Sequence, residues 1–338
     1  MKAIVLKEPG QFVMADVEEP TAPGAGEALV EVRRVGICGT DLGAYRNLHP
    51  FVTYPRILGH ELGVEVLAVG QGVKQVGVGD RCAVEPYLNC GRCIACRRDR
   101  PNCCESLKVF GVHVDGGMRK QFKIPATKLY RSDHLDLDQL ALVETLGIGA
   151  HAVARAEVHS GDGVLVIGAG PIGLGVIQFA MAAGGRVVVM DLNSNRLRFC
   201  RERAAVQYTV EPSSGALDQV CNALGGELPT VVFDATGNSK SMHDAFGLVA
   251  SGGRLVFVGL IKGNIAFHDA EFHRRELTVF ASRNSTPEDF KRIISMIEAG
   301  QIDLGPWITH RAESVAMIDQ FDQWLDPDLD VVKVMVSW

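Results

Sequence analysis

Apolar and polar positions along the chain follow two rhythms. Up to about residue 155, short β-prone runs at 3–6, 27–32, 63–70 and 80–84 are separated by turn signals. That spacing predicts an irregular barrel or sandwich. Over 138–157 the apolar positions Leu140, Leu142, Val143, Leu146 and Ile148 move to helical spacing. From about 161 the pattern changes again. Strand-like runs at 164–167, 186–191, 230–234, 254–259 and 277–280 alternate with helical segments, for example around 171–183 and 195–204. Such alternation implies a parallel sheet covered on both faces. The last stretch is mixed, with a capped helix opening at Ser285-Thr286-Pro287-Glu288 and a final strand at 331–336.

One segment could be mistaken for a membrane span. Residues 163–185 carry no charge and are long enough to cross a bilayer. They also hold seven glycines and a proline. A buried strand, a tight turn and a buried helix account for them better, so no membrane partner is expected.

Composition sharpens the picture. A length of 338 residues with 47% hydrophobic positions suits two domains with their own cores. The 37 glycines point to many tight turns and close backbone approaches. A net charge of −6 argues against a nucleic-acid partner, and interspersed charges of both signs argue against disorder. Nine cysteines are an odd count, and the N-terminal residues lack an export-signal pattern. A reducing cytoplasm is therefore expected, with the cysteines present as thiols or metal ligands.

Four of them form the run Cys90-x2-Cys93-x2-Cys96-x7-Cys104. Four thiolates at such short spacings can wrap one Zn²⁺ in a closed structural site, with Gly91 allowing a sharp turn. Arg92, Arg97, Arg98 and Arg100 would offset the excess negative charge. Free thiols and an iron–sulfur cluster are the alternatives, and Cys103 leaves the fourth ligand ambiguous at this point.

A second constellation is looser. Cys38, within Gly36-Ile37-Cys38-Gly39-Thr40-Asp41, and Gly59-His60-Glu61 offer a thiolate, an imidazole and a carboxylate, and Glu144 supplies another carboxylate. A catalytic zinc keeps about three protein ligands and an open position. Taken singly, each of these residues also suits an ordinary core or surface role. The loop Gly168-Ala169-Gly170-Pro171-Ile172-Gly173 follows a buried strand and opens an apolar helix. There the first glycine turns the chain, the second admits a pyrophosphate and the third lets helix pack on strand. Asp191 ends the next strand, where an acid binds the adenosine ribose hydroxyls and repels a 2′-phosphate. This favours NAD over NADP.

Together these motifs resemble the zinc-dependent medium-chain alcohol dehydrogenase family over essentially the whole chain, including Asp234-Ala235-Thr236-Gly237. Glu144, where alcohol dehydrogenases proper use a second Cys, makes the chain look most like the polyol, threonine and sugar-acid branch. The run Phe280-Ala281-Ser282-Arg283-Asn284-Ser285 looks like dehydrogenases of hexonates such as L-galactonate or L-gulonate.

The resemblance implies an α/β protein. A GroES-like, mostly β catalytic domain at 1–155, with a zinc lobe near 88–106, is continued at 285–338. A Rossmann domain with a doubly wound parallel sheet is inserted at 156–284. Two Zn²⁺ per chain are implied. Cys38, His60 and Glu61 would hold the catalytic ion, with Glu144 as a fourth, exchangeable or water-mediated ligand. Thr40 would pass on the substrate proton. Ala235 and Thr236 belong to the cofactor loop. Backbone groups of Val258, Gly259 and Leu260 would hold the nicotinamide, and Arg196 would cover the adenine.

Zinc would acidify a secondary hydroxyl of a polyol or sugar acid, and NAD⁺ would take the hydride. Arg283 and Arg119 are the candidate partners of a substrate carboxylate. The family often carries a His at the position of Gly43, so the outer end of the proton relay is unassigned; His49 is near in sequence. A homodimer or homotetramer is implied. The alternatives are a threonine or simple secondary-alcohol dehydrogenase, a zinc-free reductase, and a non-enzymatic NAD-binding sensor.

Overall fold

The computed structural model describes the chain from Met1 to Trp338, apart from the side chain of Pro327. The chain divides into two compact units. One comprises Met1–Thr145 with Thr286–Trp338, the other Leu146–Ser285. The helix Leu137–Ala156 begins in the first and ends in the second. The change of unit thus falls inside this helix, whereas the sequence pattern placed it at the helix end.

The first unit is organised by a seven-stranded sheet. Its order is Ile308–Glu313, Lys333–Ser337, Glu27–Ile37, Glu61–Val69, Arg81–Val84 and Leu129–Arg131, with Gln121–Pro125 pairing the other half of Glu27–Ile37. All neighbours are antiparallel except Ile308–Glu313 with Lys333–Ser337. Strict alternation drives this: Ala28, Val30 and Val32 are buried while Glu27, Leu29 and Glu31 are partly open. The inward set joins Leu62, Val64, Val66, Phe122, Ile124 and Val334 in one core. A short antiparallel pair, Tyr87–Leu88 with Lys108–Val109, frames the four-cysteine lobe.

The second unit is a six-stranded sheet, parallel throughout. The order is Tyr208–Val210, Arg186–Met190, Gly163–Ile167, Val231–Asp234, Arg254–Phe257 and Thr278–Ala281. In chain order this reads 3-2-1-4-5-6, the doubly wound arrangement with its switch point between the first and fourth strands. All five residues of Gly163–Ile167 and all four of Val231–Asp234 are buried, as expected for strands covered on both faces. Residues 163–185 resolve into this first strand and the helix Pro171–Ala182. Among the described residues no helix is long and apolar enough to cross a membrane. Two helices meet through glycine: a Cβ on Gly149 would stand 2.4 Å from the backbone of Gly175. Only hydrogen at that position permits the approach.

Most element ends lie within a residue or two of the sequence reading. The strand read at 27–32 differs most, running on to Ile37. The last strand begins at Lys333, not 331, and its first residue is a buried cation.

Candidate functional site

Strand register builds the first candidate site. Gly36 pairs with Glu61 across the antiparallel ladder of Glu27–Ile37 and Glu61–Val69. Cys38 lies two residues past Gly36 and caps the helix Gly39–Tyr45, and His60 immediately precedes Glu61. One donor atom each from Cys38, His60 and Glu61 falls within a 4.8 Å cluster. Gly36 is essential to this crossing. A Cβ there would sit 2.2 Å from Glu61 Oε2.

Buried groups surround the three. Asp41, fully buried, accepts the Cys38 amide at 2.9 Å and the Gly59 amide at 3.4 Å. Its Oδ1 stands 3.9 Å from His60 Nδ1, a buried nitrogen with no hydrogen-bond partner among the described residues. Lys333 Nζ donates to Glu61 Oε1 at 2.6 Å and Oε2 at 2.7 Å, and reaches Ile37 O at 3.2 Å and Thr145 Oγ1 at 3.3 Å. Glu144 is buried and accepts a hydrogen bond from the Tyr87 hydroxyl. It stands outside the 4.8 Å trio, yet its charge acts on both His60 and Lys333. Thr40 is half-buried in the first turn of the helix that Cys38 caps.

The electrostatics suit a cation. Burial works against charge on His60, but Cys38 and Asp41 outweigh it and hold its pKa well above the ordinary value. Burial raises Asp41 and Glu144. Glu61 goes the other way, because Lys333 and His60 overcome its desolvation. A thiolate, an imidazole and a carboxylate with donor atoms within 4.8 Å, the Nδ1 of the imidazole turned toward Asp41, form a donor set that fits Zn²⁺.

The second cluster gathers Cys90, Cys93, Cys96 and Cys104, again with donor atoms within 4.8 Å. Cys103 is exposed and stands apart, which settles the fourth member as Cys104. The Cys90 amide donates to Cys104 Sγ at 3.2 Å, the Cys93 amide to Cys90 Sγ at 3.4 Å, and Asn89 Nδ2 to Cys96 Sγ at 3.6 Å. Amides of Cys96 and Glu105 pull the Cys93 thiol down to about 6, while burial pushes Cys104 up to about 11. Four sulfurs already converging on amide donors fit a closed thiolate site for zinc.

In the second unit the glycine loop has the form its sequence requires. Gly168 is left-handed at φ 97°. Gly170 caps the helix Pro171–Ala182, with open space where a Cβ would project apart from an Arg196 nitrogen at 3.9 Å. A Cβ on Gly173 would lie 1.8 Å from Gly168 O, so the helix start presses directly on the turn. Pro171 and Ile172 begin the helix, whose free amides face the loop. Asp191 Oδ2 accepts the Ala169 amide at 2.6 Å, its Oδ1 accepts the Asn193 amide at 2.8 Å, and Arg196 lies 3.9 Å away. The acid thus ties the end of its strand to the glycine loop.

Asp234, fully buried, accepts the Thr236 amide at 3.0 Å and hydroxyl at 2.7 Å. Its carbonyl accepts the Val258 and Gly259 amides at 2.9 and 3.0 Å. A Cβ on Gly259 would meet Gly237 N at 2.4 Å. Ala235, Thr236, Val258 and Gly259 therefore share one corner of the sheet, with Leu260 exposed beside them.

The two arginines proposed for a substrate carboxylate lie in different units. Arg283 is exposed in the second. Arg119, in the first, donates to Asp115 O at 3.2 Å and stacks over the Phe122 ring at 5.5 Å. Gly43 carries no titratable group, and the loop after it folds back so that His49 N reaches Gly43 O at 3.3 Å. Sequence reading missed Lys333, Tyr87 and the role of Asp41. Asp41 was within reach, as the last letter of the Cys38 motif. A lone lysine leading an apolar strand was a faint signal for Lys333.

Residues 24–134 match the alcohol dehydrogenase GroES-like domain, and residues 171–299 match the zinc-binding dehydrogenase domain. The chain is 38% identical to L-galactonate-5-dehydrogenase of Escherichia coli K12, covering 100% of this chain and 99% of that protein. It is 34% identical to sorbitol dehydrogenase of Arabidopsis thaliana over 85% of this chain and 82% of that protein. Among solved structures it superimposes on the short chain alcohol dehydrogenase rspB of Escherichia coli CFT073, complexed with cofactor NADH. The TM-score is 0.92 at 30% identity, over 100% of this chain and 99% of that one.

Proposed function

We propose, from the premise that this chain belongs to the zinc-dependent medium-chain alcohol dehydrogenase family and its polyol branch, that it oxidises a secondary hydroxyl of a hexonate or polyol to the ketone with NAD⁺. The observation that carries the reaction class is the convergence of Cys38, His60 and Glu61 within 4.8 Å. The hexonate preference rests on the likeness to L-galactonate-5-dehydrogenase across the full length of both chains.

Cys38, His60 and Glu61 hold the catalytic zinc in this reading, with Glu144 as the further, exchangeable ligand. Bound there, zinc supplies Lewis acidity toward the substrate hydroxyl. Asp41, beside the orphaned His60 nitrogen, orients the imidazole. Thr40, in the same first turn as Asp41, would pass on the hydroxyl proton.

NAD⁺, when bound, would supply the hydride acceptor. Gly168, Gly170 and Gly173 receive its pyrophosphate, Asp191 its adenosine ribose, and the corner of Val258, Gly259 and Leu260 its nicotinamide. Asp191 is fixed by two amides, so its negative charge stands where a 2′-phosphate would have to go. Cys90, Cys93, Cys96 and Cys104 hold a second, structural zinc. Arg283 and Arg119 remain the residues to test for a substrate carboxylate, and self-association into a homodimer or homotetramer is part of this proposal.

The test is a substrate panel. Purified chain is offered L-galactonate, L-gulonate, sorbitol, xylitol and threonine, each with NAD⁺ and NADP⁺, and nicotinamide reduction is followed. Turnover of a hexonate or polyol with NAD⁺, abolished in Cys38→Ser, is expected. Turnover of threonine alone would refute the substrate class. Full activity in Cys38→Ser would refute the site.

A further inference from the structure

Lys333 is the least expected group in the first unit. It opens the last strand of the sheet, is 2% exposed, and its ammonium faces four acceptors. Two of these are the oxygens of Glu61. A lysine is seldom so deeply buried unless it is paired. A mainly structural ion pair would also be a poor use of the position, since apolar residues of similar volume often replace buried pairs at no loss. The location supplies another reason.

If Cys38, Glu61 and Glu144 all face one divalent cation, three negative charges meet two positive ones. Counting these ligands alone, the buried centre is left with one excess negative charge before any substrate enters, and the buried Asp41 carboxylate, 3.9 Å from His60, adds to the negative field. Deprotonating a substrate hydroxyl would add a second, in surroundings where water cannot screen it. Lys333 removes the first excess. It also holds the Glu61 carboxylate by both oxygens, against the backbone of Gly36, where no side chain intrudes.

We propose that Lys333 is the charge-balancing, positioning residue of the catalytic metal centre, fixing Glu61 and offsetting the excess negative charge of the ligands so that the bound metal stays electrophilic. This rests on the metal assignment given above. Lys333 touches neither substrate nor cofactor in this reading; it acts through Glu61.

The experiment uses the full chain loaded with zinc or cobalt(II). Metal affinity at the catalytic site is measured by chelator competition, and the ligand field by cobalt absorption. Lys333→Met leaves the excess negative charge in place. It should bind the metal about tenfold or more tightly, shift the cobalt bands and turn over more slowly. Lys333→Arg keeps the charge and should restore affinity and most of the turnover. The double variant Lys333→Met/Glu61→Gln removes one charge of each sign together with a ligand carboxylate, so it should bind the metal more weakly than Lys333→Met.

Unchanged affinity and cobalt bands in Lys333→Met would overturn the proposal, leaving the lysine a structural role only. If that variant does not fold, Glu61→Gln is compared with the double variant, since both lack the carboxylate. The lone lysine of Glu61→Gln should weaken metal binding about tenfold relative to the double variant, and equal affinities would overturn the proposal. Cys38→Ser and His60→Ala separate the two levels. If they lose one metal per chain while Lys333→Met changes nothing, only the role of Lys333 fails. If they retain both metals, the metal assignment fails, and this proposal with it.

Discussion

The contact between Gly36 and Glu61 offers the sharpest test of the first site, and Gly36→Ala probes it with a single methyl group. Gly36 is not in the left-handed region, so alanine brings no backbone strain. In a strand interior the change would by itself be favourable by about 0.5–1 kcal/mol. The new Cβ would lie 2.2 Å from Glu61 Oε2 and 3.0 Å from Glu61 Cβ. Reaching an ordinary contact of 3.4 Å requires a shift of 3.4 − 2.2 = 1.2 Å.

Two responses are available. The carboxylate can withdraw, which breaks bonds of 2.6 and 2.7 Å to Lys333 and leaves a buried charge poorly paired. Losing a buried pair in that way costs about 3–5 kcal/mol. Alternatively the strands can part. Gly36 is paired on both sides, with Glu61 and with Met335, so the overpacking would spread through the sheet centre at about 1–3 kcal/mol. The cheaper route wins, so a net loss between about 0 and 2.5 kcal/mol, centred on about 1 kcal/mol, is expected once the glycine entropy is returned. Urea denaturation of the metal-free chain measures the stability, and metal analysis of the loaded chain measures occupancy of the catalytic site. Stability raised, with full metal content, would refute the placement of Glu61 against Gly36, and with it the register argument for the site.

Other consequences are as direct. Gly173→Ala places a methyl group 1.8 Å from Gly168 O and should weaken NAD⁺ binding at least tenfold by calorimetry, with metal content unchanged; intact binding would remove the loop from the cofactor site. Stripping metal from the cysteine lobe should expose Cys93 to alkylation near neutral pH, since its thiol is drawn down to about 6, whereas Cys103 should react with or without metal. Peptide mapping reads both, and equal Cys93 labelling in the two states would argue against a metal there. Burial disfavours charge on Asp162, but Thr230, the His159 amide and Arg254 outweigh it and hold its pKa below the usual value. Its stabilising contribution should therefore be complete above about pH 4 and be lost as pH falls through the folded value. Asp162→Asn should flatten that part of the stability curve, and an unchanged acid slope would contradict the pairing.

Legibility followed the range of the forces involved. The shape of the glycine loop was readable because its constraints are largely local. Gly168 answers to its left-handed turn and Gly173 to the carbonyl of Gly168 five residues back, and the alternation of strand and helix around them has few topological solutions. The four-cysteine lobe was readable for the same reason, and only the choice between Cys103 and Cys104 needed coordinates. The final strand was displaced because Val331 and Val332 look like strand residues to a propensity argument. The strand starts where Lys333 turns inward to its four acceptors, a long-range pairing that propensity does not count.

The surroundings of Cys38, His60 and Glu61 were opaque for the opposite reason. Lys333 lies 272 positions from Glu61, and Tyr87 lies 57 from Glu144. A pairing over such distances exists only once the sheet places Lys333–Ser337 beside Glu27–Ile37, and Glu61–Val69 on the other side of that same strand. Gly36 is the hinge of the argument. It lies between Met335 and Glu61 in the two ladders, so the cation from the chain's end and the carboxylate from its beginning meet across the one position with no side chain. Sequence motifs name the atoms that can bind a metal. The charge that decides how strongly such a metal polarises its substrate comes here from a residue in no motif, which is why the return of the chain after residue 285 belongs to the chemistry as much as to the fold.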